Sequence, residues 1–179
     1  CRFVEEEITC EGLPGRRRTL ITPAGALCEE RALVPGMGGV TALRRHFVRQ
    51  PADYLILKSF LQNIQVVEDL QAIRAYLTYI GDRGLPLVSV PRTPYQQLWV
   101  EWVCIEDLSL HLFDQLAPLQ ECIELIFALQ RRTWEITWQA AGQVEIPFVD
   151  FPDNITAPVI GEQYFRQYCL PCYAAAAEM

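Results

Sequence analysis

Hydrophobic and polar positions follow two different periods along this chain. Residues 3–10, 18–22 and 26–34 are predicted strands, and the turn segments 13–16 and 22–25 separate them with proline and glycine. These features predict an antiparallel β-meander over residues 1–35. From residue 51 onward, apolar residues recur at helical spacing instead, which predicts helices over 51–62, 66–79, 95–103, 105–113 and 114–142.

Two short apolar runs interrupt the helical part of the chain, at residues 85–90 and 144–149. The first is bounded by Gly84 and Pro91 and predicts a buried parallel strand, and the second ends in a polar loop with two prolines and predicts a short buried strand. A further helix is predicted after Gly161. The order of helices and strands over 51–179 is that of α/β proteins. Trp99, Trp102, Trp134 and Trp138 are spaced for packing in the core.

Polar side chains follow each of the two predicted buried strands. Arg92 comes after the first, and Asp150, Asp153 and Asn154 come after the second. Because the carboxyl ends of parallel strands open on one face, we expect a cation and two carboxylates around one site. The alternative is structural, with Asp153 and Asn154 capping a turn and Arg92 forming an ion pair.

Composition and charge narrow the class of protein. The chain has 179 residues, 51% of them hydrophobic, which suits one domain over 1–179. A net charge of −7 argues against nucleic-acid partners, and no apolar run approaches the length of a membrane span. Seven cysteines at irregular spacing indicate reduced thiols and a cytoplasmic location. The sequence pattern at both ends predicts a partial chain.

The remaining candidate groups have mainly structural interpretations. Cys169 and Cys172 form a C-x-x-C pair, but zinc needs four ligands and the other cysteines and histidines are scattered singly. Helix packing is the favoured interpretation of this pair, with a redox or zinc role as the alternative. His111 lies among leucines and is interpreted as structural, whereas His46 beside two arginines is interpreted as a surface residue.

Three segments together resemble a known family. Thr22-Pro-Ala-Gly25, Pro51-Ala-Asp-Tyr54 and the stretch from Asp150 that ends in Tyr168-Cys-Leu-Pro-Cys-Tyr173 are similar to the uroporphyrinogen decarboxylase superfamily, which includes cobalamin-dependent methyltransferases. The resemblance implies part of a (β/α)8 TIM barrel, over residues 51–179, with the N-terminal β-meander as an appendage. A complete barrel of this kind needs ~250 residues.

The resemblance implies two activities for a tetrapyrrole or methyl-group substrate. In decarboxylation of a tetrapyrrole, which needs no cofactor, Asp150 and Asp153 would be catalytic while Arg92 and Asn154 bind substrate. In methyl transfer from a corrinoid to a thiol, zinc and a corrinoid-carrying partner protein would be required, with the zinc ligands outside this chain. The alternative is a non-catalytic, truncated barrel that acts as a binding or assembly module and forms a homo-oligomer.

Overall fold

A computed structural model of the chain describes residues 1–144, 146 and 149–179. The chain divides into two compact units. The first comprises Cys1–Ile64 and Leu98–Leu125, and the second comprises Gln65–Gln97 and Ile126–Met179. No helix of the described part is both long enough and apolar enough to cross a membrane.

A four-stranded antiparallel sheet forms the N-terminal part of the first unit. Its strands lie in the order β1 (Arg2–Cys10), β2 (Leu13–Thr22), β3 (Gly25–Leu33) and β4 (Thr41–Arg45). The sequence predicted the first three strands, but β2 begins at Leu13, so the predicted turn over residues 13–16 is wrong and the turn lies at Glu11 and Gly12. It did not predict β4, since the adjacent arginines at its end are typical of a solvated segment rather than of a strand.

Charged side chains alternate in sign across the four strands. Glu6 lies opposite Arg17, Arg17 lies opposite Glu30, and Glu30 lies opposite Arg45. The Arg17 guanidinium contacts both neighbouring carboxylates, at 3.0 Å from Glu6 and 2.9 Å from Glu30. These hydrogen bonds raise the pKa of Arg17. Opposite charges on facing residues favour this register over a slipped one.

Two helices lie wholly within the first unit, α1 (Asp53–Leu61) and α4 (Ile105–Phe113), and the π-helical segment Leu98–Trp102 precedes α4. The core includes Leu20, Leu57 and Leu108, none of which is exposed. Buried Tyr54 shares a 3.0 Å hydrogen bond with Nδ1 of His111. His111 therefore contacts the core side of α1, in agreement with its structural interpretation.

The second unit is mainly helical, with a small parallel strand pair. Its elements are α2 (Leu70–Ile80), β5 (Val88–Ser89), α3 (Pro94–Gln97), β6 (Val149–Asp150), α6 (Ala157–Tyr164), a π-helical segment (Phe165–Cys169) and α7 (Leu170–Ala177). The long helix α5 (Ala117–Ala141) begins in the first unit and ends in the second. Gly161 has a φ of 70°, a conformation suited to glycine, and kinks α6.

The prediction of a partial (β/α)8 TIM barrel is wrong. In the described residues, parallel pairing is limited to β5 with β6 and to one isolated bridge between Val48 and Val103. The principal sheet is antiparallel and belongs to the N-terminal meander. A barrel needs a strand between successive helices, whereas α1 and α2, and likewise α4 and α5, follow each other without one. The sequence pattern therefore predicted helices, but the described residues do not show the alternation of helices with strands that a barrel needs.

Several local predictions also need correction. The predicted strand 85–90 is reduced to Val88–Ser89, with Leu85 65% and Leu87 40% exposed. Within the predicted strand 144–149, residues 145, 147 and 148 lie outside the described residues, and β6 begins at Val149. Trp102 and Trp134 are buried as predicted, but Trp138 is 66% exposed. The apolar pattern identified these segments without revealing how much of each is covered.

Candidate functional site

The parallel strands β5 and β6 bring two polar loops together in the second unit. Val88 pairs with Val149 and Ser89 with Asp150, and the N–H of Val90 donates to the carbonyl oxygen of Asp150 at 3.0 Å. The segments that follow β5 and β6 then leave the strand pair at the same end, because the strands are parallel. The sequence predicted this shared end from the polar residues after each strand.

Hydrogen bonds join the two loops directly. Arg92 donates from Nη1 to the carbonyl oxygen of Pro152, and the backbone N–H of Thr93 donates to Oδ1 of Asp153 at 3.0 Å. The backbone N–H of Asn154 donates to Oε1 of Gln96 at 2.7 Å. We call the set Arg92, Thr93, Gln96, Asp153, Asn154 and Tyr173 the loop cluster.

Tyr173 on α7 completes the loop cluster. Its hydroxyl donates to Oδ2 of Asp153 at 2.6 Å. Burial and this hydrogen bond raise the pKa of Tyr173, so the hydroxyl stays protonated and acts as a donor. Both carboxylate oxygens of Asp153 thus accept a hydrogen bond, one from each neighbouring segment. Asp153 therefore links the loop after β5 to helix α7.

Asp150 has a different environment from Asp153. Its carbonyl oxygen takes part in the strand pairing, but its side chain has no hydrogen bond or ion pair with any residue in the described part of the chain. Val149 and Phe151 on either side line a cavity. Asp150 itself is not among the residues that line the cavity. Of the two predicted acids, Asp150 is the one left available to a ligand.

The cavity beside the loop cluster has a volume of about 550 Å³ and mostly apolar walls. Its lining includes Val90, Trp134, Trp138, Val149, Phe151 and Tyr173. The Tyr173 ring packs edge-to-face against Phe151 at a centroid distance of 5.4 Å. Tyr173 thereby contacts the cavity with its ring and Asp153 with its hydroxyl. We call this space the apolar cavity.

Three of the four residues predicted for the site lie in the loop cluster, and the fourth, Asp150, lies outside it. Arg92 and Asp153 lie in the loop cluster with their side chains engaged. Asn154 joins it through its backbone, and its side chain is exposed. Sequence reasoning missed Tyr173 and Gln96, because each comes from a helix whose pattern indicated only packing. Gln96 lies just after the predicted loop 91–94, which was the one available signal, whereas Tyr173 lies far from either loop along the chain.

The C-x-x-C pair is part of the packing around this site. Cys169 and Cys172 are both buried, and the Thr93 hydroxyl lies 3.8 Å from the sulfur of Cys169. Burial raises the pKa of the Cys169 thiol to about 11 and that of Cys172 to about 12. Among described residues, no group of three or more His, Cys, Asp or Glu side chains is arranged to hold a metal ion. The geometry is that of buried structural thiols.

The raised thiol pKa values predict a loss of stability at alkaline pH. The folded protein keeps protons on Cys169 and Cys172 that the unfolded chain releases near pH 9. Their contribution is therefore complete below about pH 9 and is lost as the pH rises toward 11–12. Urea unfolding at stepped pH should show a falling midpoint in this window.

A matched variant and an exposed thiol provide the controls for this alkaline effect. The Cys169→Ala, Cys172→Ala double variant should show a flatter dependence of the urea midpoint on pH. Exposed Cys1 should react with iodoacetamide at pH 8 in the folded protein while the buried pair does not. Rapid labelling of Cys169 in the folded state would contradict the structural interpretation.

Comparison of the chain with protein-family models, with curated proteins and with solved structures gives no match.

Proposed function

We propose that the loop cluster and the apolar cavity bind a pyrrole that carries carboxylate side chains, and that the chain acts in decarboxylation of such a substrate. The observation that carries this proposal is the position of Arg92, Asp150 and the apolar cavity around one strand edge. A flat, largely apolar ring suits aromatic walls, and a carboxylate suits a guanidinium. The resemblance of the sequence to uroporphyrinogen decarboxylases supports the same choice of substrate.

Arg92 is the group proposed to hold the substrate carboxylate. Its hydrogen bond to the Pro152 carbonyl fixes the guanidinium at the strand edge and uses only one of its donors. The remaining N–H groups can bind a carboxylate in a bidentate manner. No carboxylate among the described residues forms an ion pair with Arg92, so its charge is available to a ligand.

Asp150 is the group proposed to stabilise charge during the reaction. Decarboxylation of a pyrrole acetate begins when a ring carbon takes up a proton from solvent and the ring becomes cationic. The bond to the carboxylate then breaks, its electron pair neutralises the ring, and carbon dioxide leaves. A second proton on the exocyclic carbon gives the methyl product as the ring proton is returned. The Asp150 carboxylate, at the end of the strand pair beside the cavity, would lower the energy of a cationic ring that extends from the cavity to this end.

Asp153 holds the site together in this proposal and does not contact the reacting atoms. Both of its oxygens already accept hydrogen bonds, from Thr93 and Tyr173. It fixes the loop that carries Arg92 relative to α7. We therefore treat Asp153 as a positioning residue, and Asp150 as the single candidate catalytic carboxylate.

Arg92→Met tests the binding step. Loss of a charged hydrogen-bonding group should raise the Kd for uroporphyrinogen by about 10–100-fold, which corresponds to ~1.5–3 kcal/mol. Arg131→Met is the matched control, because Arg131 is an exposed arginine of the same unit outside the loop cluster. Binding can be followed by fluorescence quenching and turnover by chromatography of the oxidised products.

The same assays contain the outcomes that count against the proposal. Asp150→Asn should abolish most turnover while leaving the Kd for uroporphyrinogen nearly unchanged. Equal affinity of Arg92→Met and the unmodified protein would show that Arg92 does not hold the substrate. Binding without any release of carbon dioxide would refute the enzymatic part and leave a binding module.

A further inference from the structure

Basic residues at the end of β4 and just after it line a second pocket, in the first unit. Arg44, Arg45, His46 and Arg49 border this space together with Asp107, and its volume is about 240 Å³. The residues that line this pocket include three guanidinium groups and one carboxylate, so the lining is positively charged. The whole chain carries a net charge of −7, so this is a local reversal of its overall charge. We call this space the basic pocket.

A β-bulge explains why adjacent arginines lie at the same pocket. Glu30 pairs with Arg45 but Arg31 pairs with Leu43, so Arg44 is an extra residue without a partner position on β3. Neighbouring residues of a regular strand point to opposite faces. A bulge interrupts this alternation and re-aims a side chain. Arg44 and Arg45 can therefore both contribute to the basic pocket.

Two of the arginines have donors that no carboxylate satisfies. Nη1 of Arg45 lies 3.9 Å from Glu30, whose oxygen is already 2.9 Å from Arg17. Nε of Arg45 is buried and has no hydrogen-bond partner in the described residues. Arg49 makes no ion pair with any described carboxylate. Arg44 is held more firmly, at 3.3 Å from Glu11.

We propose that the basic pocket binds a phosphate group, as inorganic phosphate or as the monoester of a small molecule. A phosphate dianion carries more charge and more acceptor oxygens than a carboxylate, and it suits the donors of Arg45 and Arg49 that no carboxylate satisfies. Guanidinium groups bind phosphate oxygens in a bidentate manner, and an arginine cluster is the usual solution for this ligand. Burial lowers the pKa of His46 and favours the neutral ring at neutral pH. The neutral ring carries one N–H group, which adds a further donor to the pocket.

A neighbouring pocket offers space for the organic part of a phosphate monoester. A second pocket of about 320 Å³ adjoins the basic pocket, since Arg45 and Arg49 line both. Leu27, Cys28 and Phe47 contribute to its walls. A phosphate held by the arginines would therefore direct a small attached group toward β3.

Titration of the protein with inorganic phosphate, phenyl phosphate and acetate tests this site by calorimetry. We expect both phosphates to bind at least ten-fold more tightly than acetate. Arg49→Gln should weaken phosphate binding at least ten-fold. Arg16→Gln is the matched control, because Arg16 is an exposed arginine of the same sheet that does not line the pocket, and it should bind phosphate normally.

A spectroscopic measurement covers the case in which a variant folds poorly. The Nε–H resonance of Arg45, assigned by its loss in Arg45→Lys, should shift when phosphate is added to the unmodified protein. An unchanged resonance, acetate binding as tight as phosphate binding, or normal phosphate binding by Arg49→Gln would each overturn the proposal. The site lies in the other unit from Arg92, so Arg92→Met is expected to leave phosphate binding intact.

Discussion

Asp153→Ala is expected to lower the free energy of unfolding by about 2–4 kcal/mol, because it leaves two part-buried donors without an acceptor. The N–H of Thr93 and the hydroxyl of Tyr173 both depend on this carboxylate, at 3.0 and 2.6 Å. Removing one acceptor thus disconnects the loop after β5 from α7. Thermal and urea unfolding monitored by circular dichroism would measure the effect.

Comparison with Asp150 separates stability from chemistry in this site. Asp150→Ala removes a carboxylate that makes no hydrogen bond with any described residue, and we expect it to change the free energy of unfolding by less than ~0.5 kcal/mol. Asp153→Asn keeps one acceptor oxygen and should recover part of the loss. If the two alanine variants are equally stable, Asp153 does not hold the loops together.

Trp134→Ala is expected to produce the other large loss, about 3–5 kcal/mol, because it empties the centre of a buried cluster. Trp134 is 5% exposed and packs with Val90 and Cys172. Its ring also contacts Phe151 edge-to-face, at a centroid distance of 5.6 Å. The same unfolding experiments would measure this loss, together with a lower cooperativity if the cluster no longer packs uniquely.

Trp138→Ala is the matched control for this prediction. Trp138 lies one turn further along α5, lines the same apolar cavity, and is 66% exposed. Its truncation should cost less than ~1 kcal/mol of stability while still weakening the binding of an aromatic ligand in the cavity. Similar destabilisation by the two variants would show that Trp138 is covered in solution.

The site was predictable in part because polar residues after apolar runs are visible in a sequence. Arg92 and Asp153 were identified in this way, and the structure brings their loops into direct contact. The difference between the hydrogen bonding of Asp150 and that of Asp153 was not predictable. It depends on Tyr173, which approaches Asp153 from a helix 20 residues away along the chain. Local pattern carries no information about such a contact.

The basic pocket was likewise predictable only in part. The sequence displays Arg44, Arg45 and His46 as a charged run, which indicated a solvated edge with a phosphate or carboxylate as its possible partner, but no pocket. The bulge opposite Glu30 and Arg31 allows adjacent side chains to reach one pocket. A bulge is a property of the pairing between two strands, so neither strand encodes it by itself.

The spacing of apolar residues predicts the type and approximate position of most elements in this protein, because strands and helices impose different periods. It located β1, β3, α1, α4 and α5 within a few residues, whereas β2 begins five residues before its predicted start. The assembly of these elements became apparent only in the folded chain. The barrel was wrong because periodicity is local, whereas a parallel barrel requires pairing between distant strands, and the described residues provide one short parallel pair.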